Sequence, residues 1–188
     1  MANYKWILTG LGVLIVVFFI NQGIQSTYVT SSDRIFPENA GAIHKIELSK
    51  GEESLTLIRQ DSTWAIVGHD SLEVFDHRMS TFFERVLPLK RETLMTEKKD
   101  RWVKYSIEDS TASHVRFLDQ SDSPIAHAIF GQSMSDWSRN YVRVPDSPEV
   151  HLTDNSIIFL LSTKLTYWGR VPSPPEADST AAETEISN

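Results

Sequence analysis

Residues Trp6 to Ile20 read WILTGLGVLIVVFFI, and no charged residue occurs between Lys5 and Asp33. A helix rises about 1.5 Å per residue, so crossing a hydrocarbon core of about 30 Å takes roughly 20 residues. Tyr4 to Ile24 reaches that length when Asn21 and Gln22 lie at the far interface, and the rings of Tyr4 and Trp6 suit the near one. The run therefore predicts an N-terminal transmembrane helix, with the lipid bilayer as the partner of residues 4–24. Lys5 and the terminal amine favour a cytoplasmic N-terminus, a bias weakened by Arg34 and Lys45 beyond the span. A cleaved signal peptide is the rival reading. Against it, no small-x-small pair follows Ile20, and there is no cysteine to carry a lipid. Either reading exports the rest of the chain.

The 188 residues carry a formal net charge of −7 and no cysteine. That charge argues against nucleic acid and against electrostatic adhesion to anionic lipid. Without cysteine there can be no disulfide, thiolate metal site or cysteine nucleophile, and an exported chain without disulfides fits a bacterial envelope. The expected location is the bacterial inner membrane, single-pass, with the C-terminal domain in the periplasm.

Four parts are expected: residues 1–24 as a cytoplasmic stub and anchor, 25–41 as a polar linker, 42–170 as one folded domain, and 171–188 as a disordered acidic tail rich in proline and serine. Within the domain, apolar residues alternate over 43–49, 55–59, 63–67, 113–118, 125–130, 140–144 and 149–153, which predicts strands. Turn residues such as Asp61-Ser62 and Pro145-Asp146-Ser147-Pro148 separate them, so the pairing is antiparallel. Phe75, Met79, Phe82, Phe83, Val86 and Leu87 fall at helical spacing, with Asp70 or Asp76 as cap and Pro88 as stop. A short helix is expected over 100–105, burying Trp102 and Tyr105. A second amphipathic helix carries Ile157, Ile158, Leu161, Leu165 and Trp168, capped by Asp154 and ended by Gly169. The expected fold class is α+β, with helices on one face of an antiparallel sheet and a degenerate twofold strand–helix repeat.

The order of these features is similar to that of a known family. The elements are Thr63-Trp64-Ala65-Ile66, the helix from Val74 to Leu87, Trp102-Val103-Lys104-Tyr105, Ile129-Phe130-Gly131, Tyr141-Val142-Arg143 with Val150-His151-Leu152, and Tyr167-Trp168-Gly169-Arg170. Over residues 43 to 170 this resembles an uncharacterised bacterial family of single-pass envelope proteins, a domain of unknown function. Its members are often encoded beside ABC transporters of the gliding-motility type. Ser106 departs from the family pattern, which commonly has glycine there, and many members are longer than this chain. The resemblance implies an accessory or scaffold role beside ABC-type transporter subunits. It supplies no catalytic residue.

Candidate sites are few. His69, Asp70, Asp76 and His77 form the densest polar cluster and could suit zinc in an envelope hydrolase, although a capped surface loop explains them as well. A ligand-binding module that feeds a transporter is a further alternative, but the chain lacks the two-lobed length usual for such receptors. His127 reads as a half-buried strand histidine with a hydrogen-bonding partner. His44, His114 and His151 also fall on strands and lack the orienting partner that a general base needs. In Gly131-Gln132-Ser133-Met134-Ser135 the last place of a nucleophile elbow is serine instead of glycine. The basic run Lys98, Lys99, Arg101, Lys104 is interleaved with acids and reads as a solvated face. Trp137 lies in the loop MSDWSRN, where an exposed tryptophan would anchor an interface. Trp137, Arg139, Tyr141 and Arg143 are the expected partner contacts. No catalysis, cofactor or metal is expected.

Overall fold

The computed structural model describes residues 33–172. Among these residues no helix is long and apolar enough to cross a membrane. The expected anchor at 4–24 and the tail from 173 lie outside the described residues.

Alternating apolar residues build one eight-stranded antiparallel sheet. Its strands are β1 (Lys45–Lys50), β2 (Glu53–Gln60), β3 (Thr63–Ile66), β5 (Arg91–Thr96), β6 (Ser113–Leu118), β7 (Pro124–Gln132), β8 (Asn140–Arg143) and β9 (Val150–Thr153). The order across the sheet is β3-β2-β1-β6-β7-β8-β9-β5. A two-stranded ribbon, β4 (Glu73–Val74) with β10 (Gly169–Arg170), stands apart.

Register decides which side chains share a face. Ile46 lies opposite Leu57 and Phe117, and Leu48 opposite Leu55 and Val115. Val115 faces Ala128, and Phe130 faces Val142. Because side chains alternate along a strand, these residues form one apolar surface. Helix α1 (Asp76–Val86) covers it with Met79, Phe82 and Val86, all buried. The Phe82 ring meets Phe117 at 6.1 Å and Trp168 at 5.6 Å, both edge-on. Each such side chain removed from water contributes about 1.5–3 kcal/mol.

The other face is covered too, and by a different device. A 3₁₀ segment, Lys99–Tyr105, lies over β7, β8 and β9, where Tyr105, Ile107, Ala112, Ile129, Tyr141 and Val150 form a second buried cluster. The close approach depends on Gly131, since a Cβ there would stand 2.2 Å from the Tyr105 carbonyl oxygen.

These observations correct the expected α+β arrangement. The fold is mostly sheet, with α1 as its one α-helix of more than about a turn among the described residues. The second amphipathic helix does not form. Its apolar stripe is divided between a 3₁₀ turn, Ile158–Leu160, and a four-residue helix α2 (Leu165–Trp168). The Asn140 side-chain oxygen accepts from the backbone N–H groups of Ile157 (2.6 Å) and Ile158 (3.2 Å), and the Trp168 indole donates to the Ser162 carbonyl (2.6 Å). Tertiary bonds thus take groups that a continuous helix would use. Nor are there two repeating halves, because β5 crosses to the far edge and pairs with β9. Coverage of both faces replaces the expected one-sided layer of helices.

Part of the expected linker belongs to the domain. The Asp33 carbonyl accepts from Arg91 N–H (2.6 Å), Ile35 N–H donates to Leu89 (3.2 Å), and Arg34 bridges to Lys90. Phe36 is buried, 4.9 Å from the Phe117 ring. The expected cap of α1 also differs. Phe75 occupies that position without a side-chain bond, and Asp76 is the first helical residue.

Candidate functional site

One end of the sheet carries the loop that holds Trp137 and Arg139. Lys50 pairs with Ser113, Ser113 with Phe130, Gln132 with Asn140, and Thr153 with Arg91. These pairs form a row across the sheet, here termed the near end. The loop from β7 to β8, residues 133–139, projects from it.

Short polar bonds brace that loop. The buried Ser133 hydroxyl accepts from Asp136 N–H (3.1 Å). Asp136 in turn accepts from the backbone N–H (3.0 Å) and the hydroxyl (2.6 Å) of Ser138. The two bonds from Ser138, side chain first, hold the Asp136 carboxyl below its usual range. Arg139 crosses to β5 and pairs with Glu92 at 2.8 Å. On this frame Trp137 is 68% exposed and Met134 73% exposed. Beside them runs a shallow groove of about 310 Å³, lined in part by Val103, Glu108, Gln132, Met134 and Ile158. Val103, at 66% exposure, stands on its rim, and Phe159, at 54%, follows Ile158 directly.

The four expected partner contacts therefore divide. Trp137 is accessible, and Arg139 is half-buried with its guanidinium on Glu92 and Asp136. Tyr141 and Arg143 are buried, and as surface contacts they are corrected. Tyr141 stacks edge-on against Tyr105 at 4.8 Å. Arg143 is 2% exposed. Its Nε donates to the Ile107 carbonyl (3.1 Å), its terminal nitrogen pairs with Asp109, and its guanidinium lies 3.9 Å above the Trp102 ring. The Trp102 indole donates to the Pro148 carbonyl (3.1 Å). Arg143 thus pins the 3₁₀ segment and the loop after it to the sheet. Planar stacking together with forked donation suits arginine and not lysine.

Beside this clamp lies a pair of histidines that sequence reading treated separately. His114 Nδ1 is 3.3 Å from His127 Nε2, and His114 Nε2 is 2.9 Å from the Asp109 carbonyl oxygen. A carbonyl only accepts, so His114 Nε2 carries a proton. Across the contact with His127 one ring nitrogen must donate and the other accept, since two N–H groups cannot face each other. Burial first, then the charges of His114, Arg116 and Arg143, lower the His127 pKa, while Asp109 opposes them. The signal for this pair was present in the alternation, since His114 and His127 lie one step apart on adjacent strands. Only the register shows that they touch.

The other candidates come apart. His69, Asp70, Asp76 and His77 are exposed, and among the described residues no three metal-capable side chains stand close enough to hold an ion. Ser133 is buried as a loop brace. Asn140 fixes the chain at Ile157 and Ile158, and its buried Nδ2 has no hydrogen-bond partner among the described residues. Compared with known family models, curated proteins and solved structures, the chain finds no significant match, so its function is argued from its own residues.

Proposed function

We propose that the protein is a membrane-anchored accessory or scaffold subunit of an ABC-type transport or gliding-related complex, acting by protein–protein contact. Its N-terminus lies in the cytoplasm, the apolar run of residues 4–24 sits in a bacterial inner membrane, and the domain stands in the periplasm. Anchoring of this kind raises the effective concentration of a weak partner without any catalytic step.

One observation carries the reading: the two ends of the sheet differ in chemistry. The near end exposes Val103, Met134, Trp137 and Phe159. At the opposite end the turns at 60–63, 119–123 and 144–149 are polar, with Asp122 paired to Lys45. A domain that exposes large apolar side chains together at one end has a built-in orientation, which a tethered scaffold needs if it is to offer the same surface to each neighbour. The partner class follows from the family resemblance and from the anchor.

The test is purification of the full chain from native membranes in mild detergent. ABC-type transporter subunits are expected to accompany it. If the chain is anchored and arrives alone, the accessory role is lost.

A further inference from the structure

Where the domain touches the membrane follows from the place at which its chain enters. Asp33 is bonded to Arg91 at the start of β5. The next residue, Glu92, holds Arg139, and Arg139 is two residues from Trp137. The point at which the chain arrives from the apolar run is therefore beside the exposed loop. Between Ile24 and Asp33 stand eight residues, 25–32. Fully extended they reach at most about 26–29 Å. That length lets the near end rest on the bilayer surface.

The side chains at this end match that surface. Tryptophan prefers the headgroup level, where its ring is in apolar contact and its indole N–H stays hydrated. Met134 on the same loop and Val103 and Phe159 nearby extend the apolar rim. Charges within the loop are internally paired: Asp136 with Ser138 and Arg139, and Arg139 with Glu92. The rim thus has no net demand for anionic lipid, which suits a chain of formal charge −7. Glu52, Glu53 and Glu92 are exposed at the same end, a further reason for a zwitterionic and not an anionic bilayer.

We infer that the near end is a lipid-docking surface: Trp137 and Met134 insert into the headgroup region of a zwitterionic bilayer, with Val103 and Phe159 beside them. The inference rests on the anchored reading. It adds that the domain lies down on its own membrane in a fixed orientation. Binding is apolar and insensitive to salt, because no uncompensated basic patch takes part.

The chain has no cysteine, so a single one can carry a spin label. Full-length Ser135→Cys and Ser121→Cys proteins would be labelled with a nitroxide and placed in phosphatidylcholine nanodiscs. Ser135 is an exposed residue of the near-end loop and Ser121 an exposed residue of a far-end turn. The expected result is that oxygen collides with the label at 135 in preference to a water-soluble nickel chelate, while the label at 121 shows the reverse. Adding Met134→Ser and Trp137→Ser should bring the label at 135 to the aqueous value. If both labels are aqueous in a protein that still floats with lipid, docking is overturned while the anchor survives. Protection of the label at 135 only when membrane proteins are added back would assign the rim to a protein partner and also overturn it. If the chain does not float with lipid at all, the anchored reading itself has failed.

Discussion

The two faces of the sheet are closed in different ways. Toward α1, closure is achieved by area: Phe82, Phe117, Phe130 and Trp168 are all fully buried in one continuous apolar cluster. Toward the 3₁₀ segment, a smaller apolar cluster is joined by a buried guanidinium, its carboxylate and carbonyl partners, and a tryptophan beneath it. Apolar packing is non-directional and tolerates small shifts. A polar clamp requires each donor to meet its acceptor, because an orphaned buried group costs about 1–3 kcal/mol. The first face should therefore respond chiefly to lost volume, and the second to lost geometry and to pH.

Trp168→Ala tests the first face at its largest side chain and should cost about 3–5 kcal/mol, read as a lower urea midpoint. It also removes the indole bond to Ser162 that holds the segment before α2. A loss below 1 kcal/mol would mean that this face is not the main source of stability.

Arg143→Met keeps the bulk but removes the donors, and should cost about 2 kcal/mol. Arg143→Lys should fail to restore stability, since an ammonium can neither stack flat on Trp102 nor fork between Ile107 and Asp109. Full rescue by lysine would show that charge alone matters and would erase the contrast between the faces.

Ser106→Gly sharpens the second face in the other direction. Ser106 has φ 51° and ψ 40°, a left-handed conformation that ends the 3₁₀ segment. An L side chain there costs about 1–2 kcal/mol, part of which glycine gives back as unfolded-state entropy. A gain of about 0.5–1 kcal/mol in denaturant melts is expected.

The smallest effect is on pH. His127, on the second face, has a lowered pKa for the reasons given; His151, on the α1 face opposite Val142, is lowered through burial first and then the Arg91 charge and adds to the same trend. A histidine whose folded pKa lies below the usual value of about 6.5 stays neutral after its unfolded counterpart has charged. Its stabilisation is therefore intact above about pH 6.5 and is lost as pH falls through the folded value. Melting temperature should decline on acidification below about pH 6.5, and less steeply in His127→Gln. An unchanged slope in that variant would detach the histidine pair from the clamp.

Seven of the strands were legible in the sequence because each has alternating apolar residues between turn residues. The eighth, β5, was not. Arg91-Glu92-Thr93-Leu94-Met95-Thr96 is an edge strand with irregular pairing and little apolar pattern. Arg143 misled for a related reason. On one strand it reads as the outward residue between two valines, yet β8 lies inside the sheet with both faces covered. The residues at 157–168 repeat at helical spacing, but burial of a compact coil produces the same stripe, and Asn140 had already claimed two of its N–H groups. In the loop, Trp137 was recognisable as a candidate contact; what braces it, and where it lies relative to Asp33, were not.

The sequence by itself determined seven strands of the sheet, their turns, the helix at α1 and the apolar run before the domain, because those are local consequences of side-chain period and turn chemistry. Tertiary structure alone decided the order of the strands, the second buried face, the meeting of His114 with His127, and the gathering of exposed apolar side chains at one end. Each of these depends on which distant segments are neighbours, and that is set by the joint burial of many side chains.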